Sequence, residues 1–466
     1  MIPWILAGPP EVPCATLSHL RGERAPAAAR DQWDLPYHQE SDRFVVHWGD
    51  AGAITGDQVD ALLLAFEDAW TTLVDEMGHP APLPPGKRFD VYIGDSGGPS
   101  SAGAAGYYTL DGEGSPMIVV ARSSIELDPT LADHTAQHEF YHAIQGVTER
   151  YAYDGPSAWF WEATAEWAAI EVDPTNPWNG GFAFAYLVQP ELPVDFFDYP
   201  DTGALTEYFQ YGAFLFPHAL TEAHGPALVR DAWTDPGDDP DPLEVLRALL
   251  AEDGVDLDQA WLDHLARNVV YDYDAGDAYQ LGVGSAAGAW PSADRVTVEL
   301  DGAGGSGDLG RKDEVHRYGA ANLQLVYPDR GRLEVRITGD ETGSEGSAAR
   351  YGARVVRDLG YGEHEYLEVP FDGVEGALDV PEVGDERAIW VTIGAWTDPL
   401  EPDRWLDETF GVEWSVTVIP PPPEDPSDPG VVDDDDGPPR ACGCGGGTPI
   451  GWAALLALLV RRRSWV

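Results

Sequence analysis

Basic residues are scarce in this chain. Lys and Arg total 27 of 466 residues against 81 Asp and Glu, a formal net charge of −54. Nucleic acids and anionic membranes are bound through basic patches, so this balance argues against both as partners. It fits a surface kept dispersed by like charge, as in salty surroundings. The carboxylates form no clean Ca²⁺-loop pattern, and the Asp-rich segments read as solvated faces. Cysteine is almost missing. Cys14, Cys442 and Cys444 are the three, and residues 15–441 have none, which excludes an internal disulfide framework. Export and membrane segments are short. Met1–Leu6 is apolar but lacks a basic start and runs into Pro9-Pro10, a poor secretory signal. Cys14 follows Glu11-Val12-Pro13, which is not a lipobox. An export signal is therefore expected upstream of Met1 or in another form. The mostly apolar run 450–460 is shorter than the roughly 20 residues a spanning helix needs.

What is present is globular. The hydrophobic fraction is 43%, and the length allows two or more domains. Residues 1–36 read as a leader or propeptide-like segment. From Tyr37 an α/β pattern begins. Phe44–Trp48 and Phe89–Ile93 predict strands, and 57–77 predicts a helix with Thr55 as N-cap. Gly106–Thr109 and Met117–Val120 predict two more strands around the turn 111–114. Asp128-Pro129 opens a helix as N-cap and first helical residue. Further helices are expected over 159–170, 205–225, 243–251 and 257–269. Strands followed by helices make an α+β domain over 37–285. After 290 the pattern alternates, in Val296-Val298-Leu300, Leu333-Val335-Ile337, Ile389-Val391-Ile393 and Trp414-Val416-Val418. This predicts an antiparallel β-sandwich domain over 290–419. A Pro/Asp-rich linker, 420–441, follows. The chain ends, over 442–466, in a Cys motif, a short hydrophobic helix and Arg461–Arg463.

The chemistry centres on His138-Glu139-Phe140-Tyr141-His142. Residues four apart share a helix face, so His138 and His142 can point two imidazoles at one place, an arrangement suited to Zn²⁺. Glu139 sits one step round, positioned to take a proton from an activated water without being a ligand. The competing account is a helix with two surface histidines. A catalytic zinc needs a third protein ligand and one open position. Trp161-Glu162-Ala163-Thr164-Ala165-Glu166 offers Glu162, with Glu166 one turn further on to hold a ligand imidazole by its other N–H. His134 lies one turn before His138; it is a candidate further ligand or outer support of a ligand, but reads first as solvent-facing. His218 and His224 are alternative third ligands.

His138-Glu139-x-x-His142 followed by Glu162-Ala163-x-x-Glu166 resembles the gluzincin metallopeptidases, the class that includes thermolysin, over about residues 37–285. The resemblance implies a zincin fold, zinc held by His138, His142 and Glu162, Glu139 as general base, and Glu166 supporting a histidine. Glu166 stands where thermolysin-like enzymes carry Asp. It also implies a substrate-presenting edge strand before the motif helix, for which Gly106, Tyr107 and Tyr108 are the candidates. A Tyr or His stabilises the oxyanion in that class, and Tyr211 is preferred here over Tyr208 and His218. No His-containing motif of the thermolysin kind is recognisable in that region.

The last 25 or so residues resemble the tripartite C-terminal sorting signal of myxobacteria and relatives, with a Cys-containing motif, a short hydrophobic helix and an Arg cluster. The resemblance implies export, attachment at the cell surface or outer membrane with possible release, and processing near Cys442 or Cys444 by sorting machinery. The combined expectation is a surface zinc metallopeptidase acting on protein or peptide substrates, with the sandwich as spacer or binding module. The alternatives are a catalytically silent zincin-fold adhesion or scaffold protein, and a zymogen silent until residues before Tyr37 are removed. Oligomeric state is not legible.

Overall fold

The computed structural model describes residues 12–21, 33, 35–101, 103–198, 204–289, 297–309, 315–397 and 408–423. Most of the expected leader, the linker beyond 423 and the whole sorting tail with Cys442 and Cys444 lie outside the described residues. The chain divides into two units, Met1–Pro421 and Pro422–Val466, and every described element belongs to the first.

A six-stranded mixed sheet organises the first half. Its strands are β1 (Val12–Cys14), β2 (Tyr37–Glu40), β3 (Phe44–Trp48), β4 (Phe89–Gly94), β5 (Ala104–Leu110) and β6 (Pro116–Ala121), in the order β1-β5-β6-β4-β3-β2. The β5–β6 hairpin is antiparallel, whereas β1 runs parallel to β5. Side chains alternate between the faces of a strand. Phe44, Val46, Val91, Ile93, Ile118 and Val120 thus enter the main core under the helices, while Tyr92, Tyr107, Met117 and Val119 form a small cluster on the opposite face with Ala15 and Ala104.

Two helices cross on the core face. The motif helix, Pro129–Thr148, starts where the Asp128 side chain accepts the Thr130 N–H, with Pro129 at its first position. The glutamate helix, Ala158–Val172, has no polar stripe, and Trp159, Phe160, Trp161 and Trp167 are all buried. A helix apolar almost all round belongs in a core, so Glu162 and Glu166 are carried inside with it, whereas Glu171, in its last turn, stays partly exposed. The aromatic stretch 205–225, expected as one helix, is three pieces: a 3₁₀ turn Leu205–Tyr208, Phe209–Gly212 and Leu215–His224. Pro217 cannot donate an N–H, so it is tolerated only in a first turn and a new helix starts just before it.

Beyond 297 the chain forms two five-stranded sheets, one in the spatial order Glu363–Val369, Ala349–Gly360, Ala388–Thr397, Gly319–Val326 and Thr297–Leu300, the other in the order Phe371–Asp372, Glu375–Val383, Gly331–Gly339, Val412–Ile419 and Gly304–Leu309. Leu323, Val355, Val391 and Ile393 of one share a core with Leu333, Val335, Ile337 and Val416 of the other. The pairing is antiparallel except for Thr297–Leu300, which runs parallel to Gly319–Val326. The architecture is thus α+β followed by antiparallel sheets. The two parts are welded together. Tyr318, Ala320 and Trp396 join the main core, and Arg317 pairs with Asp195 with both side chains buried. Among the described residues no helix is long and apolar enough to cross a membrane.

Candidate metal centre

The turn spacing of the motif helix brings His138 Nε2 and His142 Nε2 to 3.1 Å from each other. Glu162, from the glutamate helix, places Oε2 3.3 Å from His138 Nε2 and 3.5 Å from His142 Nε2. A fourth donor comes from the far N-terminus: Cys14 Sγ lies 3.4 Å from His142 Nε2. One ligand atom of each of Cys14, His138, His142 and Glu162 lies within 4.8 Å of the others, and all four residues are buried. Zinc bond lengths at tetrahedral angles separate N and O donors by roughly 3.3 Å and S from N by roughly 3.6 Å. The observed spacings fit such a cation.

The outer nitrogens decide which way the lone pairs point. Gln145 donates its amide to the Trp161 carbonyl and Thr164 Oγ1, both at 2.9 Å, so its Oε1 must be the atom 2.6 Å from His142 Nδ1. His142 therefore donates from Nδ1 and turns the Nε2 lone pair into the cluster. Glu166 Oε1 lies 3.1 Å from His138 Nδ1, within ion-pair distance, and its other oxygen lies 3.3 Å from His134 Nε2. Two facing imidazole nitrogens beside a carboxylate require positive charge between them, from a proton or a cation. Burial alone pulls His138 down, yet the carboxylates of Glu162 and Glu166 beside it hold it up at about 10. Burial opposes the charge on Glu166 as well, but His134 and His138 bring it down to about 2.

Glu139 faces the cluster without joining it. It is fully buried, and burial raises its carboxyl pKa against the pull of His142 and His138. Oε2 accepts a 2.8 Å hydrogen bond from Thr16 Oγ1, and Oε1 has no protein partner. Thr16 Oγ1 in turn accepts the Tyr108 N–H at 2.8 Å. Tyr211 reaches the site from the broken aromatic segment. Its hydroxyl donates to the Cys14 carbonyl at 3.4 Å, and its ring centroid is 6.2 Å from that of His138. β5 passes over the motif helix so closely that a Cβ on Gly106 would stand 2.6 Å from Thr135 Cγ2 and 3.0 Å from Glu139 Cγ.

His138, Glu139, His142, Glu162, Glu166 and Tyr211 are thus brought together, with Gly106, Tyr107 and Tyr108 alongside on β5. Three expectations change. β5 is not an exposed edge, because β1 pairs along it at Val12↔Ala104 and Cys14↔Gly106. His134 is buried against Glu166 rather than solvent-facing, because the glutamate helix covers that turn. His218 bonds Glu222 at 3.2 Å, His224 is exposed and Tyr208 stacks on Phe182, so none of these three enters the cluster. Sequence reasoning missed Cys14, Thr16 and Gln145. Gln145 was readable as a polar side chain three residues after His142 on the same face. Cys14 offered only its isolation as the sole cysteine before Cys442, and Thr16 offered no signal.

Residues 18–353 match a family described as "Family of unknown function (DUF6055)". That span holds both site helices and ends within the C-terminal sheets. No curated protein matches the chain. Among solved structures, the pre-peptidase C-terminal domain of a collagenase from Bacillus anthracis aligns at 6% identity and TM-score 0.18, over 26% of this chain and 94% of that domain. A family GH115 4-O-methyl-α-glucuronidase with specificity for decorated arabinogalactans aligns at 14% identity and TM-score 0.15, over 64% of this chain and 40% of that one. Scores this low establish no shared fold.

Proposed function

This chain belongs to the DUF6055 family, and we propose from its side chains that it is a zinc-dependent peptide hydrolase of zincin (gluzincin) fold. The observation that carries the reading is Glu139. A purely structural metal site has no use for a second buried carboxylate left outside the donor set, and burying one without a counter-charge is costly. A general base beside the metal does need that position. His138, His142 and Glu162 are the catalytic donor set, and imidazole, carboxylate and thiolate donors together suit Zn²⁺. Such an ion, when bound, acidifies water and polarises a carbonyl.

The chain's own residues supply the rest. Glu139 Oε1 takes the proton as water oxygen bonds to the scissile carbonyl carbon. The same carboxyl delivers that proton to the amide nitrogen as the C–N bond breaks. Tyr211, whose hydroxyl already donates to a carbonyl oxygen in the site, is placed to donate to the developing oxyanion. Burial, with Glu162 and Cys14 nearby, raises the Tyr211 pKa well above its ordinary value, so the phenol keeps its proton. Extended peptide would pair with the β5 backbone at Gly106–Tyr108 only once β1 and Thr16 leave it. Glu166 and Gln145 hold the two imidazoles. The tail resemblance supports export to the cell surface.

The test is metal content together with cleavage of an unfolded protein. The reading expects about one zinc per chain, and Glu139→Gln retaining that zinc while cleavage falls ~10²–10⁴-fold. One observation favours a second reading. Cys14 completes four protein donors, and closed four-donor sites are structural. A silent scaffold would hold zinc with Cys14 as a permanent fourth donor and cleave nothing.

A further inference from the structure

Cys14-Ala15-Thr16 meets four separate parts of the site at once. Cys14 Sγ stands among the donors, 3.4 Å from His142 Nε2. The Cys14 carbonyl accepts the Tyr211 hydroxyl. The Ala15 N–H donates to the Gly106 carbonyl at 3.1 Å, extending the pairing of β1 along β5. Thr16 Oγ1 donates to Glu139 and accepts from the Tyr108 N–H. All three residues are buried. A ligand position, an oxyanion donor, a strand edge and a base are therefore engaged by one tripeptide, at the point where the strand Val12–Cys14 passes into the short helix Thr16–Leu20. A closed structural metal site would need the sulfur but not the other three contacts.

We propose that the N-terminal segment around Cys14 is a resident inhibitor that holds this site latent, with the Cys14 thiolate in the position water must take. The inference rests on the hydrolase reading for what is inhibited, but not for the occupancy itself. Activation then consists of withdrawing the segment, which frees Glu139, Tyr211 and the β5 edge together. The segment is also held away from the cluster. Leu17 is buried in the main core, the Arg21 guanidinium donates to the Tyr153 carbonyl at 2.7 and 2.9 Å, and the His19 ring stacks on Tyr107 at 3.9 Å. Losing the sulfur should therefore open the ligand position without expelling the segment.

The experiment uses the full chain with Cys442→Ser and Cys444→Ser, so that Cys14 is the only thiol. This parent and its Cys14→Ala and Cys14→Ser variants are loaded with Co²⁺, whose spectrum reports thiolate ligation. The parent should show a thiolate-to-cobalt charge-transfer band that both variants lack at equal cobalt content. Acetohydroxamate, an oxygen ligand, should alter the cobalt spectrum of the variants at concentrations at least tenfold below those needed for the parent. With zinc, Cys14→Ala combined with Thr16→Ala and Arg21→Ala, which removes the holds on Glu139, the Tyr108 N–H and the Tyr153 carbonyl and so lets the segment withdraw, should cleave unfolded casein at least tenfold faster than the parent, and the same variant with Glu139→Gln should not. A parent without the band overturns the proposal, as do variants that lose the metal, since Cys14 would then be a permanent structural ligand. If the band and the hydroxamate difference appear but no variant cleaves casein, the occupancy by Cys14 stands and the hydrolase reading fails. Cys14→Ser keeps the side chain's size and polarity, so agreement between the two variants separates ligand loss from misfolding.

Discussion

Gln145 Oε1 lies 2.6 Å from His142 Nδ1, and that contact decides which nitrogen of the imidazole faces the cluster. The amide is itself fixed, because its N–H groups are spent on Trp161 and Thr164 of the glutamate helix. Replacing Gln145 by Ala should leave His142 free to turn and to change tautomer. Outer hydrogen bonds of this kind are worth about 10–100-fold in metal affinity. Competition with a chelator should show a loss of that size for Gln145→Ala. An unchanged dissociation constant would mean that Gln145 does not orient the ligand.

Glu162 and Glu139 are both buried carboxylates at the same site, but only Glu162 reaches the two Nε2 atoms, at 3.3 and 3.5 Å. Truncating each should separate their roles. Glu162→Ala should lower zinc affinity by about 100-fold or more, as expected when one of three catalytic protein ligands is lost. Glu139→Gln should bind zinc within about threefold of the parent, because it contributes no donor. Stripping zinc from the parent with a chelator should lower its melting temperature, since a ligand bound only by the folded state stabilises it. Equal zinc loss in both variants would refute the assignment.

Gly106 is required by distance rather than by backbone angle. An added Cβ would sit 2.6 Å from Thr135 Cγ2, with Val119 O at 3.1 Å behind it. Gly106→Ala should destabilise the fold by about 1–3 kcal/mol through overpacking. Adding Thr135→Ser, which removes that methyl group, should recover part of the loss in a denaturant titration. A Gly106→Ala protein as stable as the parent would show that β5 and the motif helix are not held at this spacing.

Asp241 gives the fold a pH dependence away from the metal centre. It caps the helix Pro242–Glu252 by accepting the Leu243 N–H at 2.9 Å, and it is buried. Burial and the charge of Asp195 push its carboxyl up to about 7, against the pull of the Leu243 N–H and Arg317. The native state therefore keeps a proton that the unfolded chain loses near pH 4. Wherever the native state holds more protons, stability falls as pH rises. This residue thus costs stability progressively from about pH 4 to pH 7, by at most about 4 kcal/mol, and no further above that. Asn keeps the cap and removes the charge. The stability difference between Asp241→Asn and the parent should grow in the variant's favour across that window and level off above it. A difference of the same size at pH 4.5 and pH 8 would refute the assignment.

The local half of this protein was legible because its signals repeat within a turn or a hairpin. His138 and His142 share a face at any helix position, and Asp128-Pro129 marks where that helix begins. The Asp111–Gly114 turn joins β5 to β6, as its residue types imply. The alternation of Leu333, Val335 and Ile337 marks a half-buried strand, although it says nothing of which strand lies beside it. The break near Gly212 and Pro217 was also written in residue types, yet helical aromatic spacing masked it.

Tertiary structure alone decided what closes the site. Cys14 and His142 are separated by 128 positions, and Thr16 and Glu139 by 123. No periodicity links such pairs, because loop closure over that length is set by the packing of the whole sheet. The parallel placement of β1 on β5 turned an expected open edge into an occupied one. The glutamate helix turned His134 inward by covering it. The sequence by itself therefore determined which side chains could make a metal-binding helix pair. The folded chain determined that a fourth donor and an occupant of the base arrive from its own N-terminus, since only a completed sheet brings that segment within bonding distance.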